Sequence, residues 1–81
     1  MILVRYFARL REQVDCETER LTGPFATVSE VIEHLRTRGG PWAALAKDPT
    51  LLIAINQELA RPTSSLHDGD ELAFFPPVTG G

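Results

Sequence analysis

The sequence lacks long apolar runs, a second cysteine and an excess of positive charge. No stretch approaches the roughly 18 apolar residues of a membrane span, so we expect no transmembrane helix and no membrane partner. The single cysteine, Cys16, cannot form an internal disulfide, and no secretory signal pattern is seen, which favours a cytoplasmic location. Eleven acidic residues against eight basic ones give a net charge of -3, which argues against a nucleic-acid-binding face. At 81 residues, the sequence predicts one small domain.

Ordinary catalytic and metal-binding patterns are also missing. His34 and His67 do not have the spacing to Cys16 that metal sites use, so no metal site is expected. Cys16 lies between Asp15 and Glu17, whose charges should raise the pKa of the thiol and suppress its nucleophilicity. Nucleotide-binding glycine-rich loops and the G-x-S-x-G motif are absent. We therefore expect no permanently bound cofactor.

The clearest local pattern is a helix that starts at Thr27. Thr27 and Glu30 have the spacing of a capping box. Apolar residues then follow at helical intervals: Val28, Val31, Ile32 and Leu35. Gly39 is a typical stop, and a further short helix is predicted from Pro41 to Lys47, with the proline at its first position.

The remaining segments favour strands. Alternating or β-branched runs predict five strands: one at the start of the chain, an edge-like second strand, one in the middle, a short return strand and one at the end. A helical turn is predicted over Ala8 to Val14. The strand segments are Ile2 to Ala8, Glu17 to Thr22, Leu51 to Asn56, Leu59 to Ala60 and Glu71 to Phe75. This order predicts an α+β fold, a mixed sheet with one main helix packed across one face. We expect a single domain over residues 1–75 and a flexible tail over 76–81.

Two aromatic residues are predicted to point away from the helix. Leu72 and Phe74 share one side of the last strand, so Phe75 must face the other side. Phe7 is placed similarly at the end of the first strand. Both rings should therefore meet solvent or a partner.

The C-terminus carries the strongest chemical signal. Pro76 and Pro77 stiffen the exit from the sheet, and Gly80 and Gly81 have no side chains. The terminal Gly-Gly pair alone is weak evidence for a function, because the chain has a second such pair, Gly39-Gly40, which helix termination explains. The six terminal residues can extend about 20 Å, which suits insertion of a bare tip into a partner. The terminal carboxylate could then be activated by ATP as an acyl-adenylate and converted into a thiocarboxylate.

The ending D-G-D-E-L-A-F-F-P-P-V-T-G-G, over residues 68–81, resembles the small subunits of molybdopterin synthase, the MoaD-type sulfur carriers. The first strand and its turn, with Val4, Phe7 and Arg11, and the segment Ala54 to Asn56 also resemble that family. The resemblance spans the chain and implies a ubiquitin-like β-grasp fold.

The resemblance also implies a mechanism and a set of partners. A ubiquitin-activating-like adenylyltransferase would use ATP to adenylate Gly81, and a sulfur donor protein would supply sulfur for the thiocarboxylate. The carrier would donate that sulfur to cyclic pyranopterin monophosphate within a heterotetramer whose large subunit holds the catalytic site. The residues implied to contact partners are Phe7, Leu59, Phe75, Pro76, Pro77, Val78 and Thr79, and those implied to carry the chemistry are Gly80 and Gly81.

Two alternatives remain open at the level of sequence. The chain could carry sulfur for another product, such as the thiamine thiazole or a cysteine-type amino acid. It could also be a non-catalytic ubiquitin-like binding module that has no chemistry at its tail.

Overall fold

The structure, a computed structural model, describes residues 1–77. These residues form five strands and three helices. In chain order the elements are β1 (Ile2–Tyr6), α1 (Arg9–Val14), β2 (Thr18–Leu21), α2 (Val28–Arg36), α3 (Gly40–Lys47), β3 (Leu52–Ile55), β4 (Glu58–Ala60) and β5 (Glu71–Phe75). The predicted elements are confirmed in type and order, with ends that differ by one or two residues.

The five strands form one mixed sheet in the order β2-β1-β5-β3-β4. The two terminal strands, β1 and β5, pair in parallel at its centre, whereas the other neighbours are antiparallel. Strand β2 lies at one edge, as its weaker pattern predicted. The expected α+β architecture with a mixed sheet is therefore confirmed.

The core lies between one face of the sheet and helix α2. Alternation along the central strands directs Val4 and Phe74 towards the helix, where both are fully buried. On the helix side, the core is formed by Val28, Val31 and Leu35, which are also fully buried. Because this face takes the even-numbered side chains of β1 and β5, the odd-numbered ones are left on the opposite face.

The predicted capping box is wrong in its details. Thr27 precedes α2 in extended conformation, but its side chain makes no capping hydrogen bond. The first free amides of the helix instead donate to carbonyls of the loop before β5: Val28 N to Ser64 O at 3.1 Å, and Ser29 N to Pro62 O at 2.9 Å. Glu30 does reach back, but it accepts from the amide of residue 26 at 3.1 Å. A tertiary contact thus replaces the local cap.

Helix α3 also starts one residue earlier than predicted. Gly39 has a φ of 73° and precedes the helix, which begins at Gly40. Pro41 is therefore the second helical residue rather than the first. A proline is accepted there because that amide would have no partner within the helix.

A polar cluster ties the sheet to the end of α2. Buried Tyr6 donates its hydroxyl proton to Glu19 at 2.7 Å, and Arg38 binds the same carboxylate through two nitrogens at 2.9 and 2.8 Å. The Arg38 guanidinium also stacks over Trp42, 4.4 Å from the ring centroid. Burial tends to raise the pKa of Glu19, but the hydrogen bonds from Arg38 and Tyr6 outweigh it and hold that pKa below its ordinary value.

Candidate partner-binding face and tail base

The face of the sheet opposite α2, called here the open face, brings together three of the residues singled out from sequence. In the sheet register, Phe75 pairs with Leu52, and Leu59 pairs with Ala54. Residues paired across neighbouring strands point to the same side of a sheet. Phe7 follows β1 and donates its amide to Phe74 O at 3.1 Å, which continues the pairing beside β5.

These side chains leave apolar surface uncovered. Leu59 is 79% exposed and Phe7 is 40% exposed, whereas Phe75 is half-buried. The rings of Phe7 and Phe75 pack edge to face with their centroids 6.3 Å apart. The prediction that Phe7 and Phe75 point away from the helix is confirmed. An exposed aromatic pair of this kind, with a further exposed apolar side chain on the same face, marks a recognition surface more often than isolated exposed residues do.

Between the aromatic pair and the other end of the open face lies a shallow hollow of about 310 Å³. Its lining includes Ala54 and Ala73, which pair across β3 and β5, so their small side chains leave the space above them empty. Arg5 and Glu71 close its polar end, with Arg5 Nη1 3.4 Å from Glu71 Oε1. The hollow is therefore lined by apolar side chains together with the Arg5–Glu71 ion pair and Gln57.

The tail leaves the sheet next to the aromatic pair. Strand β5 ends at Phe75, and the half-buried Pro76 and Pro77 follow it directly. Because β1 and β5 run in parallel, this exit lies at the same end of the sheet as Phe7. The predicted tail residues Val78, Thr79, Gly80 and Gly81 lie outside the described residues, and their roles stay predictions.

The side chains considered and set aside from sequence are not brought together. Cys16 is half-buried beside β2, whereas His34 and His67 are exposed on α2 and in the loop before β5. Burial raises the pKa of the Cys16 thiol, and the charges of Glu19 and Asp15 raise it further. The predicted direction of that pKa is correct, but the acidic neighbours are Asp15 and Glu19 rather than Asp15 and Glu17.

Two further properties of the described part of the chain bear on function. Within residues 1–77, no group of three or more histidine, cysteine or acidic side chains is placed to hold a metal ion. No helix within that range is long and apolar enough to cross a membrane.

Sequence reasoning missed the polar half of the open face. Alternation along β1 places Arg5 on the same side as Phe7, but its pairing with Glu71 depends on the parallel register of β1 and β5. Those residues are 66 positions apart. The hollow was also missed, because it depends on two alanines meeting across β3 and β5.

Comparison with known proteins gives a consistent result. The model of the ThiS family matches residues 4–81. The molybdopterin synthase sulfur carrier subunit of Haemophilus influenzae is 46% identical over 81 residues, which is all of both chains.

Solved structures agree in fold. The crystal structure of SAMP1 from Haloferax volcanii is 29% identical, with a TM-score of 0.78 over 99% of this chain and 98% of that one. In a Helicobacter pylori complex of subunits 1 and 2 of molybdopterin-converting factor, a matching chain is 25% identical. That match has a TM-score of 0.70 and covers 99% of this chain and 97% of the other. The expected ubiquitin-like β-grasp fold is confirmed, and the chain belongs to the ThiS family.

Proposed function

We propose that this ThiS-family chain is the sulfur-carrier subunit of a molybdopterin synthase, with Gly81 as the group that carries sulfur. The observation that supports this most directly is the full-length similarity to a carrier subunit of that name. The terminal Gly80 and Gly81, preceded by Pro76 and Pro77, supply the tail that the activity needs.

The chemistry takes place at one carboxyl group. The Gly81 carboxylate attacks the α-phosphate of ATP on an adenylyltransferase resembling the ubiquitin-activating kind, giving an acyl-adenylate and releasing pyrophosphate. A persulfide on a sulfur donor protein then attacks the carbonyl carbon and displaces AMP, giving an acyl disulfide. A thiol cleaves the S–S bond of that acyl disulfide, which leaves the thiocarboxylate on Gly81 and a disulfide on the donor. Glycine suits this position because no side chain hinders attack at its carbonyl.

The domain supplies a surface on which a partner can dock. The described residues offer apolar side chains at Phe7, Leu59 and Phe75 on the open face. In this proposal the large subunit docks on the open face, receives the tail and holds the catalytic side chains. Sulfur would pass from the thiocarboxylate to cyclic pyranopterin monophosphate. Tethering keeps the sulfur at high local concentration inside a closed site.

Existing complexes support the choice of partner. The Helicobacter pylori structure pairs subunit 1 of molybdopterin-converting factor with subunit 2, and its similar chain has the same fold as this one. In this proposal, the tail runs from the open face into the partner through Pro76, Pro77, Val78 and Thr79. Its last two residues, Gly80 and Gly81, reach the partner's active site.

Reconstitution tests the proposal. The carrier, its cognate large subunit, the adenylyltransferase, ATP and a sulfur donor should together convert cyclic pyranopterin monophosphate to molybdopterin. Deleting Gly81 should abolish conversion without changing the thermal midpoint of the domain. Conversion by the shortened chain would contradict the proposal. A thiocarboxylated chain that forms no complex with the large subunit would favour a carrier for another product, and indifference to Gly81 in every assay would favour a binding module.

A further inference from the structure

Arg5 and Glu71 form an ion pair among the apolar residues of the open face. Docking by apolar contact alone does not explain why this ion pair is there. Arg5 and Glu71 lie on the interior strands β1 and β5, and their side chains are 39% and 25% exposed. The Arg5 guanidinium carbon also lies 5.4 Å from the centroid of the Phe7 ring. A partner that covers Phe7 and Phe75 therefore also covers this ion pair.

The ion pair is poorly satisfied without a partner. A guanidinium offers several N–H donors in a planar fork. Among the hydrogen bonds of residues 1–77, the Arg5 side chain makes one, to Glu71 Oε1, at the long distance of 3.4 Å. Water can serve the remaining donors while the face is open, but a protein surface would displace that water. A charged group buried with incomplete partners strongly weakens an interface.

The hollow beside the ion pair is the right place for a compensating group. Ala54 and Ala73 are both more than nine-tenths buried and leave open space above the sheet. Phe7 and Phe75 border that space at the end where the tail leaves the sheet, and Glu71 borders it at the opposite end of β5. Arg5 lies on β1 beside Ala73, between those two ends. A side chain with an apolar stem and a polar end matches this arrangement.

We propose that the large subunit inserts an acidic side chain into the hollow, with its stem over the two alanines and its carboxylate bound to Arg5. A carboxylate can accept two parallel N–H bonds from a guanidinium, which makes such contacts both strong and geometrically selective. Arg5 is then a specificity-determining residue of the open face. This inference rests on the proposed function, since that function identifies the large subunit as the partner.

The test replaces the whole ion pair rather than half of it. Titration calorimetry measures the affinity of the cognate large subunit for the wild-type chain and for the double variant Arg5→Leu/Glu71→Leu. If the partner only buried the ion pair and made no bond to it, replacing both residues by apolar ones would leave binding equal or make it tighter. The proposal predicts binding at least about tenfold weaker, because the partner's carboxylate is left buried without its guanidinium. Binding as tight as that of the wild type would overturn it.

A matched control exists on the other side of the molecule. Arg36 and Glu33 form an exposed pair on α2, with Nε 3.0 Å from Oε2. The double variant Arg36→Leu/Glu33→Leu makes the same chemical change away from the open face and should bind as the wild type does. Equal weakening by both double variants would overturn the assignment to Arg5. Thermal unfolding of each variant checks that the domain is folded.

A further variant separates this inference from the proposed function. If the wild type binds the large subunit and Phe75→Asp does not, the open face is the interface, and the Arg5→Leu/Glu71→Leu result judges the ion pair alone. If Phe75→Asp binds normally, the inference fails because the interface lies elsewhere. If the wild type binds no large subunit, the proposed function and the inference fail together.

Discussion

Phe7 and Phe75, 68 positions apart in the sequence, pack edge to face at the point where the tail leaves the sheet, with their centroids 6.3 Å apart. The contact exists because β1 and β5 are parallel neighbours. It places the apolar centre of the open face directly before Pro76 and Pro77. In the proposed function, one docking event therefore both covers the aromatic pair and directs the tail into the partner.

Phe75→Asp should remove the anchor of this surface. A charge in the centre of a buried apolar contact typically costs at least about 2 kcal/mol of binding, which lowers affinity by about thirtyfold. Titration with the large subunit measures the loss. Ala44→Asp places the same carboxylate on an exposed position of α3 and should leave binding intact. Equal affinities for Phe75→Asp and the wild type would show that the open face is not the docking surface.

Leu59→Ser should weaken the same binding without destabilising the domain. Leu59 is 79% exposed, so the folded chain gains little from burying it, whereas a partner that covers it gains the full transfer free energy. We expect a loss of about 1–2 kcal/mol in affinity and an unchanged thermal midpoint. A lowered midpoint with normal binding would reverse the assignment and make Leu59 a structural residue.

The Glu19 carboxylate should make stability depend on acid pH. Its pKa is held below its ordinary value of 4.5 in the folded chain, so its contribution is fully present above that value and is lost as pH falls through the lowered pKa. Glu19→Gln should reduce stability at neutral pH by about 1–3 kcal/mol and flatten its fall below about pH 4.5. Urea unfolding between pH 3 and 7, roughly the range in which carboxylates titrate, measures both effects.

Glu33→Gln is the control for that experiment. Arg36 lowers the pKa of Glu33 by hydrogen bonding and charge, but this pair is exposed to solvent, where ion pairs contribute little. Its unfolding curves should match those of the wild type at each pH. If the two variants behave alike, the Tyr6–Glu19–Arg38 cluster has no special part in stability.

The β3–β4 hairpin offers a stabilising change. Asn56 and Gln57 form a two-residue turn with φ values of 49° and 70°, the pattern of a type I′ turn. Left-handed backbone is unfavourable for glutamine and free of steric cost for glycine, so Gln57→Gly should stabilise the domain by about 0.5–1 kcal/mol. Gln13→Gly, inside α1, should instead destabilise it by about the same amount. Destabilisation by Gln57→Gly would mean that its side chain makes a contact outweighing the backbone strain.

Much of the fold could be predicted because its signals are local. The apolar spacing of Val28, Val31 and Leu35 is enough to place α2 and its buried face. Alternation before Pro76 is enough to orient Phe74 inward and Phe75 outward. The position where α2 starts was also predictable, but the capping of its first amides was not, because they bind carbonyls of Pro62 and Ser64, which are remote in sequence.

The candidate site likewise has one part that could be predicted from local sequence and one part that could not. The tail and its two glycines are readable from sequence, since adjacent residues carry the signal. The Arg5–Glu71 ion pair and the hollow over Ala54 and Ala73 arise only from the order and register of strands, which alternation does not specify. The half of the proposed docking surface to which we assign specificity therefore needed the structure.

The most direct test of the account is the mass of the intact chain after incubation with the adenylyltransferase, ATP and a sulfur donor. The proposed function predicts replacement of one oxygen by one sulfur, located at Gly81 by fragmentation. Locating the change matters, because oxidation of Met1 or Cys16 adds nearly the same mass. A chain whose Gly81 stays unmodified under these conditions would contradict the account, whatever the open face binds.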